Sequence, residues 1–330
     1  MTRRARLAAL AAGLWVSALA RGTAGAQEPA RTDPGVAPPG VLDLDAAQVE
    51  GDRRLLIEEA LKSGAYDRAQ AILLEEVERR PASPALLRLL GGVLFVRGEY
   101  LSSAVALKKA EALAPLDERS RFTLAMSYVV MGRRGWARPE LEKLAGADAK
   151  NPLYPYWMAR LDYDEEHYAA AVEGFRRALA LDPAYLKAHD NLGLAYEALG
   201  RYEEAVRSYQ EAARLNRERG AHSPWPALNL GILLTRLGRI EEAEPPFRES
   251  ARQDPRFAQA HYQLGLVLEK KGRSADAIAE LNEAAQLDPR YPDPQYALAR
   301  LFRRAGETEK ADRALERFLA LKKEKLAASP

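Results

Sequence analysis

Cysteine is absent from the 330 residues, and methionine (4), histidine (4), tryptophan (4) and phenylalanine (7) are scarce. Without cysteine there is no disulfide framework, no thiolate metal site and no attachment point for a lipoprotein anchor. The histidines, His167, His189, His222 and His261, are too few and too scattered to suggest an imidazole metal site. No H-E-x-x-H, G-x-S-x-G, G-x-G-x-x-G or phosphate-loop sequence occurs. These absences point away from catalysis, from a cofactor and from a resident metal. A large excess of one charge is missing too, since the formal net charge is +2. A nearly neutral chain gives no electrostatic case for nucleic acid. What is abundant is Ala, Leu, Arg and Glu, the strong helix formers.

The one long apolar run lies at the start. Arg3, Arg4 and Arg6 precede Leu7 to Ala20, and Ala24-Gly25-Ala26 follows as an A-x-A cleavage site. The run is about 14 residues, where roughly 20 are needed to span a bilayer. Residues 1–26 therefore read as a secretory signal peptide, with an uncleaved anchor as the alternative and the sole membrane contact. Its removal takes 49 Lys and Arg against 47 Asp and Glu to 45 against 47, leaving the mature chain slightly acidic. Residues 27–49 hold Pro29, Pro34, Pro38, Pro39, Gly35 and Gly40 and read as a disordered, Pro-rich linker. The expected location is exported, periplasmic or secreted.

From residue 50 onward the sequence matches itself at a period of 34. Registers begin at 50, 84, 118, 152 and 186. After the insertion at 220–223 they resume at 224, 258 and 292 and run to 325, leaving 326–330 as a tail. Position 20 holds Ala69, Ser103, Ala137, Ala171, Ala205, Ala243, Ala277 and Ala311. Position 8 is small in all units but the first: Gly91, Ala125, Ala159, Gly193, Gly231, Gly265 and Ala299 follow Ile57. Position 24 is bulky: Leu73, Leu107, Leu141, Phe175, Tyr209, Phe247, Leu281 and Leu315. Small residues at 8 and 20 let two antiparallel helices approach closely around the bulky plug at 24. Position 15 is Gly64, Gly98, Gly132, Gly200, Gly238, Gly272 and Gly306, with Glu166 the exception. Glycine there predicts a left-handed residue that ends the first helix of each unit. Proline at position 32 (Pro81, Pro115, Pro183, Pro255, Pro289) stops the second helix.

Segments such as "HDNLGLAYEALGRYEEAVRSYQEAARL" and "HYQLGLVLEKKGRSADAIAELNEAAQLDP" resemble the tetratricopeptide repeat family. The resemblance covers residues 50 to 325 in eight units. It implies an all-α fold, a right-handed α-solenoid (superhelix) of antiparallel helix pairs with the first helices lining a concave groove. Three departures carry expectations. Arg53, Ile57 and Glu76 make unit one a degenerate repeat or cap. Pro245 and Pro246 imply that the second helix of unit six starts late or kinks, and Pro139 sits in the corresponding column of unit three. The insertion at 220–223, beside Pro224 and Pro226, implies a change of pitch or a hinge between five units and three.

The family commonly touches its ligands with positions 2, 5, 6, 9, 12 and 13. Carried over, these give a partner-binding groove of Arg88, Phe95, Phe122, Met126, Tyr156, Arg160, Tyr163, Lys187, Asn191, Trp225, Asn229, Tyr262, Tyr296 and Arg300. Aromatic and Arg side chains dominate interface energies when desolvated, and an extended peptide or a helix fits such a groove. The arrangement of Lys, Asn and Arg with which some members clamp chaperone tails is not reproduced. The acidic run Asp162-Tyr163-Asp164-Glu165-Glu166-His167 lacks calcium-loop spacing and reads as a solvated corner. His189 and His261, both at position 4, read as half-buried packing residues.

The expected function is a non-catalytic exported scaffold that binds protein or peptide segments, assisting assembly of an envelope complex. A glycan or cell-wall-polymer binding module accessory to an enzyme is one alternative. A structural homo-oligomer is the other, built through the apolar stripe Leu315, Phe318, Leu319 and Leu321 near the C-terminus.

Overall fold

The computed structural model describes residues 51–328, with Ala47 and Val49 ahead of them. The expected signal peptide and the rest of the expected linker lie outside the described residues. The helices fall into two compact units that meet in sequence between Pro183 and Ala184. The first contains α1 (Gly51–Lys62), α2 (Tyr66–Arg79), α3 (Pro84–Val96), α4 (Tyr100–Leu113), α5 (Glu118–Val130), α6 (Arg134–Ala147), α7 (Leu153–Asp164) and α8 (Tyr168–Leu181). The second contains α9 (Leu186–Ala198), α10 (Tyr202–Arg219), α11 (Trp225–Arg236), α12 (Ile240–Gln253), α13 (Ala258–Lys270), α14 (Ser274–Leu287), α15 (Pro292–Arg304) and α16 (Thr308–Ala328). The described residues form helices and turns and no strand. Each odd helix pairs with the next even one, and within each unit each even helix also packs on the odd helix that follows.

The repeat columns explain this pairing in atomic terms. Every residue at position 20, from Ala69 to Ala311, is 0% exposed. Ser103, the one polar member, donates its hydroxyl to the carbonyl of Gly91, 2.7 Å away on the partner helix. At position 8 a Cβ on Gly193 would lie 2.5 Å from the ring of Tyr209, and one on Gly231 2.6 Å from the ring of Phe247. Backbone and plug are therefore in direct contact, at native packing density. In the fourth pair the close approach is shifted: Ala159 stands where others have glycine, and Gly174 opposite makes room, its absent Cβ 2.6 Å from that of Ala159.

Position 15 adopts the left-handed conformation throughout, from φ 67° at Gly132 to φ 77° at Gly306. Glu166 does so as well, at φ 62°. The following N–H bonds back across the turn, as His167 does to the carbonyl of Asp162 at 2.8 Å, so the helix end is closed in the Schellman manner. A side chain in this conformation costs about 1 kcal/mol. Glu166→Gly is thus expected to raise stability by about 0.5–1 kcal/mol, measured as a higher urea midpoint at unchanged m-value.

Several finer expectations are corrected. Ala47 and Val49, assigned to the linker, are 1% and 2% exposed among the first two pairs, and Arg80 donates to the carbonyl of Ala47 at 3.1 Å. Arg53 and Glu76, noted separately as departures in unit one, face each other at 3.2 Å, and Arg80 joins them at 2.8 Å. A part-buried charge cluster stands at these departing positions. α12 does not start late: it runs unbroken from Ile240 through Pro245 and Pro246. The carbonyls that lose their partners belong to Glu241 and Glu242, both solvent-exposed, so water can satisfy them.

The insertion is closed locally. α10 continues for an extra turn to Arg219 and ends on Gly220 in the left-handed region. Asn216, 1% exposed, then donates to the carbonyl of Ser223 at 2.8 Å and accepts from its N–H at 3.1 Å. α10 and α11 pack directly on each other across it. At the other end α16 extends to Ala328, into the expected tail. Its apolar stripe is only partly open: Leu321 is 4% exposed and Phe318 packs on Tyr296 at 5.2 Å, whereas Leu319 is 57% exposed.

Candidate functional site

All the groove candidates lie on odd helices, the first of each pair, but they do not share one environment. In the first unit Phe122, Met126 and Tyr156 are buried at 5%, 2% and 4% exposure. Phe122 packs on Tyr154 at 6.2 Å, and Tyr156 on Trp157 and Phe175 at 5.5 and 5.8 Å. These three are packing residues that hold pairs together, not groove walls. Arg88, Phe95, Arg160 and Tyr163 are half-buried. Arg88 turns to Asp117 at 3.4 Å, Phe95 rests edge-on against Tyr100, and Tyr163 against Tyr168. Arg160 lies 3.6 Å from Asp164 on its own helix.

In the second unit Asn191 and Asn229 are also buried, at 7% and 5% exposure. Asn191 donates to the carbonyl of Lys187 at 2.8 Å. Asn229 donates to the Asp190 carboxylate at 3.1 Å, tying α11 to α9. Asn191 thus bonds within its own helix, and only the Asn229 bond joins two helices. Lys187 is half-buried, and Trp225 packs edge-on against Phe257 at 4.8 Å. Tyr262 stacks edge-on with Tyr291, and burial pushes its phenol up to about 12. Tyr296 is 49% exposed, and Arg300 is exposed with its guanidinium on Glu269. Arg304 reaches the same carboxylate. Its signal was readable, since it stands at position 13 of the last unit.

Among the described residues, one group of potential metal ligands converges: Asp162, Glu165 and His167 offer atoms within 4.8 Å of one another. Arg138 occupies that corner, with its guanidinium 2.7 Å from Asp162 and 3.1 Å from Glu165. The acidic run is thus answered by an internal cation from the neighbouring pair, and the corner serves packing. His261 likewise is taken up by structure, 2.7 Å from Glu280 and 3.2 Å from the carbonyl of Pro255. The Glu280 hydrogen bond raises its pKa against the opposing effect of burial. The stability this pair contributes is present while free histidine is protonated, and is lost as pH rises past about 6.5 through the raised folded value. His261→Gln should flatten that fall in stability between mildly acidic and alkaline pH, measured by urea titration at several pH values.

Comparison with known proteins agrees with this architecture. Models described as "Tetratricopeptide repeat" match residues 185–255, residues 54–118 and 228–292, and residues 296–328. A "TPR repeat" model matches 159–200. Together these span most of the chain, which belongs to the tetratricopeptide repeat family. Among solved structures, yeast Tom70 is 17% identical with a TM-score of 0.58, over 89% of this chain and 66% of that one. A tetratricopeptide repeat protein from Parabacteroides merdae is 16% identical with a TM-score of 0.57, over 81% and 98%. The Cut9–Hcn1 hetero-tetramer of APC/C gives 18% identity and a TM-score of 0.52, over 84% and 54%. At these identities the likeness concerns the fold. No curated protein matches the chain.

Proposed function

We propose that this protein is a non-catalytic scaffold that grips segments of other proteins with its odd helices, after export from the cytoplasm. The observation that carries the reading is that each unit, taken by itself, keeps part of its odd-helix surface accessible. Phe95 and Tyr163 in the first unit and Tyr262, Tyr296 and Arg300 in the second stay at least partly accessible at positions the family uses for ligands. Aromatic side chains supply contact area with few rotamers to freeze on binding, and Arg300 is already held by Glu269. The burial of Phe122, Tyr156 and Trp157 removes the continuous aromatic platform that a glycan-binding reading needs. Cut9 is solved within a hetero-tetramer, which shows a related fold engaged with a protein partner.

Export rests on the basic, apolar and small-residue order of residues 1–26. Among the described residues no helix is long and apolar enough to cross a membrane. N-terminal sequencing of protein recovered from the cell envelope should begin at Gln27, and an intact start at Met1 would overturn the cleavage. Binding is tested by using the chain from Gln27 as bait in envelope extract. Tyr163→Ala/Tyr296→Ala should lose the enriched partner, and Trp136→Ala on the even helix α6 should keep it. Enrichment that survives the first variant, or that fails for all three baits, would sink the reading.

A further inference from the structure

The chemistry of the ligand can be read from the second unit. Arg300 and Arg304 stand one turn apart on α15, 44% and 60% exposed at their side chains. Both guanidinium groups turn to one carboxylate, Glu269 of α13, whose side chain is 7% exposed. The Nε of Arg300 reaches one oxygen of Glu269 at 3.2 Å while its Nη2 takes the other, and Arg304 shares the first. Two cations thus meet one anion, which leaves a surplus positive charge held in place from below. Each guanidinium has five N–H donors, so donors remain on the open side.

Tyr296 stands one turn before Arg300 on the same face, backed by Phe318 and 49% exposed. It forms an apolar shelf beside the cations. Tyr262 on α13 is close enough to feel the charges of Asp293, Arg300 and Glu269. A charge surplus pre-oriented by a nearly buried carboxylate, next to an aromatic shelf, is built to take an anion that carries an apolar neighbour. Guanidinium groups so fixed lose little freedom when a second carboxylate arrives.

We infer that the face of α13 and α15 carrying Glu269, Arg300 and Arg304 recognises an acidic protein segment, with a carboxylate on Arg300 and Arg304 and an adjacent apolar side chain on Tyr296. The inference rests on the binding role proposed for the odd helices and specifies its ligand. The slightly acidic mature chain does not attract anions by its overall charge, so the preference belongs to this surface.

The test measures fluorescence anisotropy with the chain from Gln27 and three short labelled peptides that differ only in a repeated Glu-Phe, Gln-Phe or Lys-Phe pair. The Glu-Phe peptide should bind about tenfold more tightly than the Gln-Phe peptide, and lose affinity as salt rises from about 0.05 M to about 0.3 M. Arg300→Gln/Arg304→Gln, checked for an unchanged unfolding midpoint, should erase that difference. Arg300→Glu/Arg304→Glu should turn the preference toward Lys-Phe. Equal binding of Glu-Phe and Gln-Phe, both lost in Tyr296→Ala, would overturn the acidic preference and leave odd-helix binding standing. Tighter binding of a single-stranded oligonucleotide than of any peptide would overturn the choice of a protein ligand.

Discussion

Replacing Gly231 by valine should cost about 3 kcal/mol, at the upper end of what overpacking does. The first added carbon would lie 2.6 Å from the ring of Phe247, which is 0% exposed. Phe247→Ala should be as damaging from the opposite direction, about 3–5 kcal/mol, because it leaves a cavity the size of a ring beside a backbone that cannot collapse into it. The pair should be strongly non-additive. Gly231→Ala with Phe247→Leu approximates the Ala125 and Leu141 combination of the third pair, and should recover part of the loss of Gly231→Ala alone. Urea unfolding gives the magnitudes. Hydrogen exchange should place the weakening in α11, α12 and their neighbours, since repeat stability is carried by adjacent pairs. A valine variant as stable as the parent would mean that the helices do not cross at this column.

The second large effect is electrostatic. Glu244 on α12 is 8% exposed and bonds to Lys271 at 2.5 Å, Arg248 at 2.9 Å and Arg273 at 2.9 Å. The Lys271 hydrogen bond, helped by Arg248 and opposed by burial, lowers its carboxyl to about 2. Because the folded value lies below the ordinary one, the contribution is complete above about pH 5 and is lost as pH falls toward 2. The cations are partly in water, so the size is about 1–2 kcal/mol rather than the full conversion of the shift. Glu244→Gln should therefore lose about 1–2 kcal/mol near neutral pH, and the gap to the parent should close on acidification. A gap that is independent of pH would assign the loss to packing instead.

These two effects differ in how far they could be read from residues alone. The crossing column is legible because sequence registers align a small residue at position 8 with a bulky one at 24, and size is a property of the side chain itself. The left-handed turn is legible for the same reason, even at Glu166, where the register imposes φ 62° on a residue that disfavours it. Glu244 was not legible. Its partners Lys271 and Arg273 lie in the next pair, and charge spacing along one chain does not say which heads converge across a stack. The same holds for Arg53 with Glu76 and for Arg138 with Asp162. For the groove candidates, the register placed each on the first helix of its pair. It could not tell that Phe122 and Tyr156 turn inward, because that depends on Tyr154 and Phe175 arriving to cover them.

The central claim is that partners are held by the odd helices, and site-specific photo-crosslinking in living cells tests it most directly. A benzophenone amino acid placed at Tyr296 on α15 should give a discrete adduct with a protein partner. The same group at Trp136 on α6, which is 58% exposed and thus equally able to react, should give none. An adduct at Trp136 and none at Tyr296 would contradict the account.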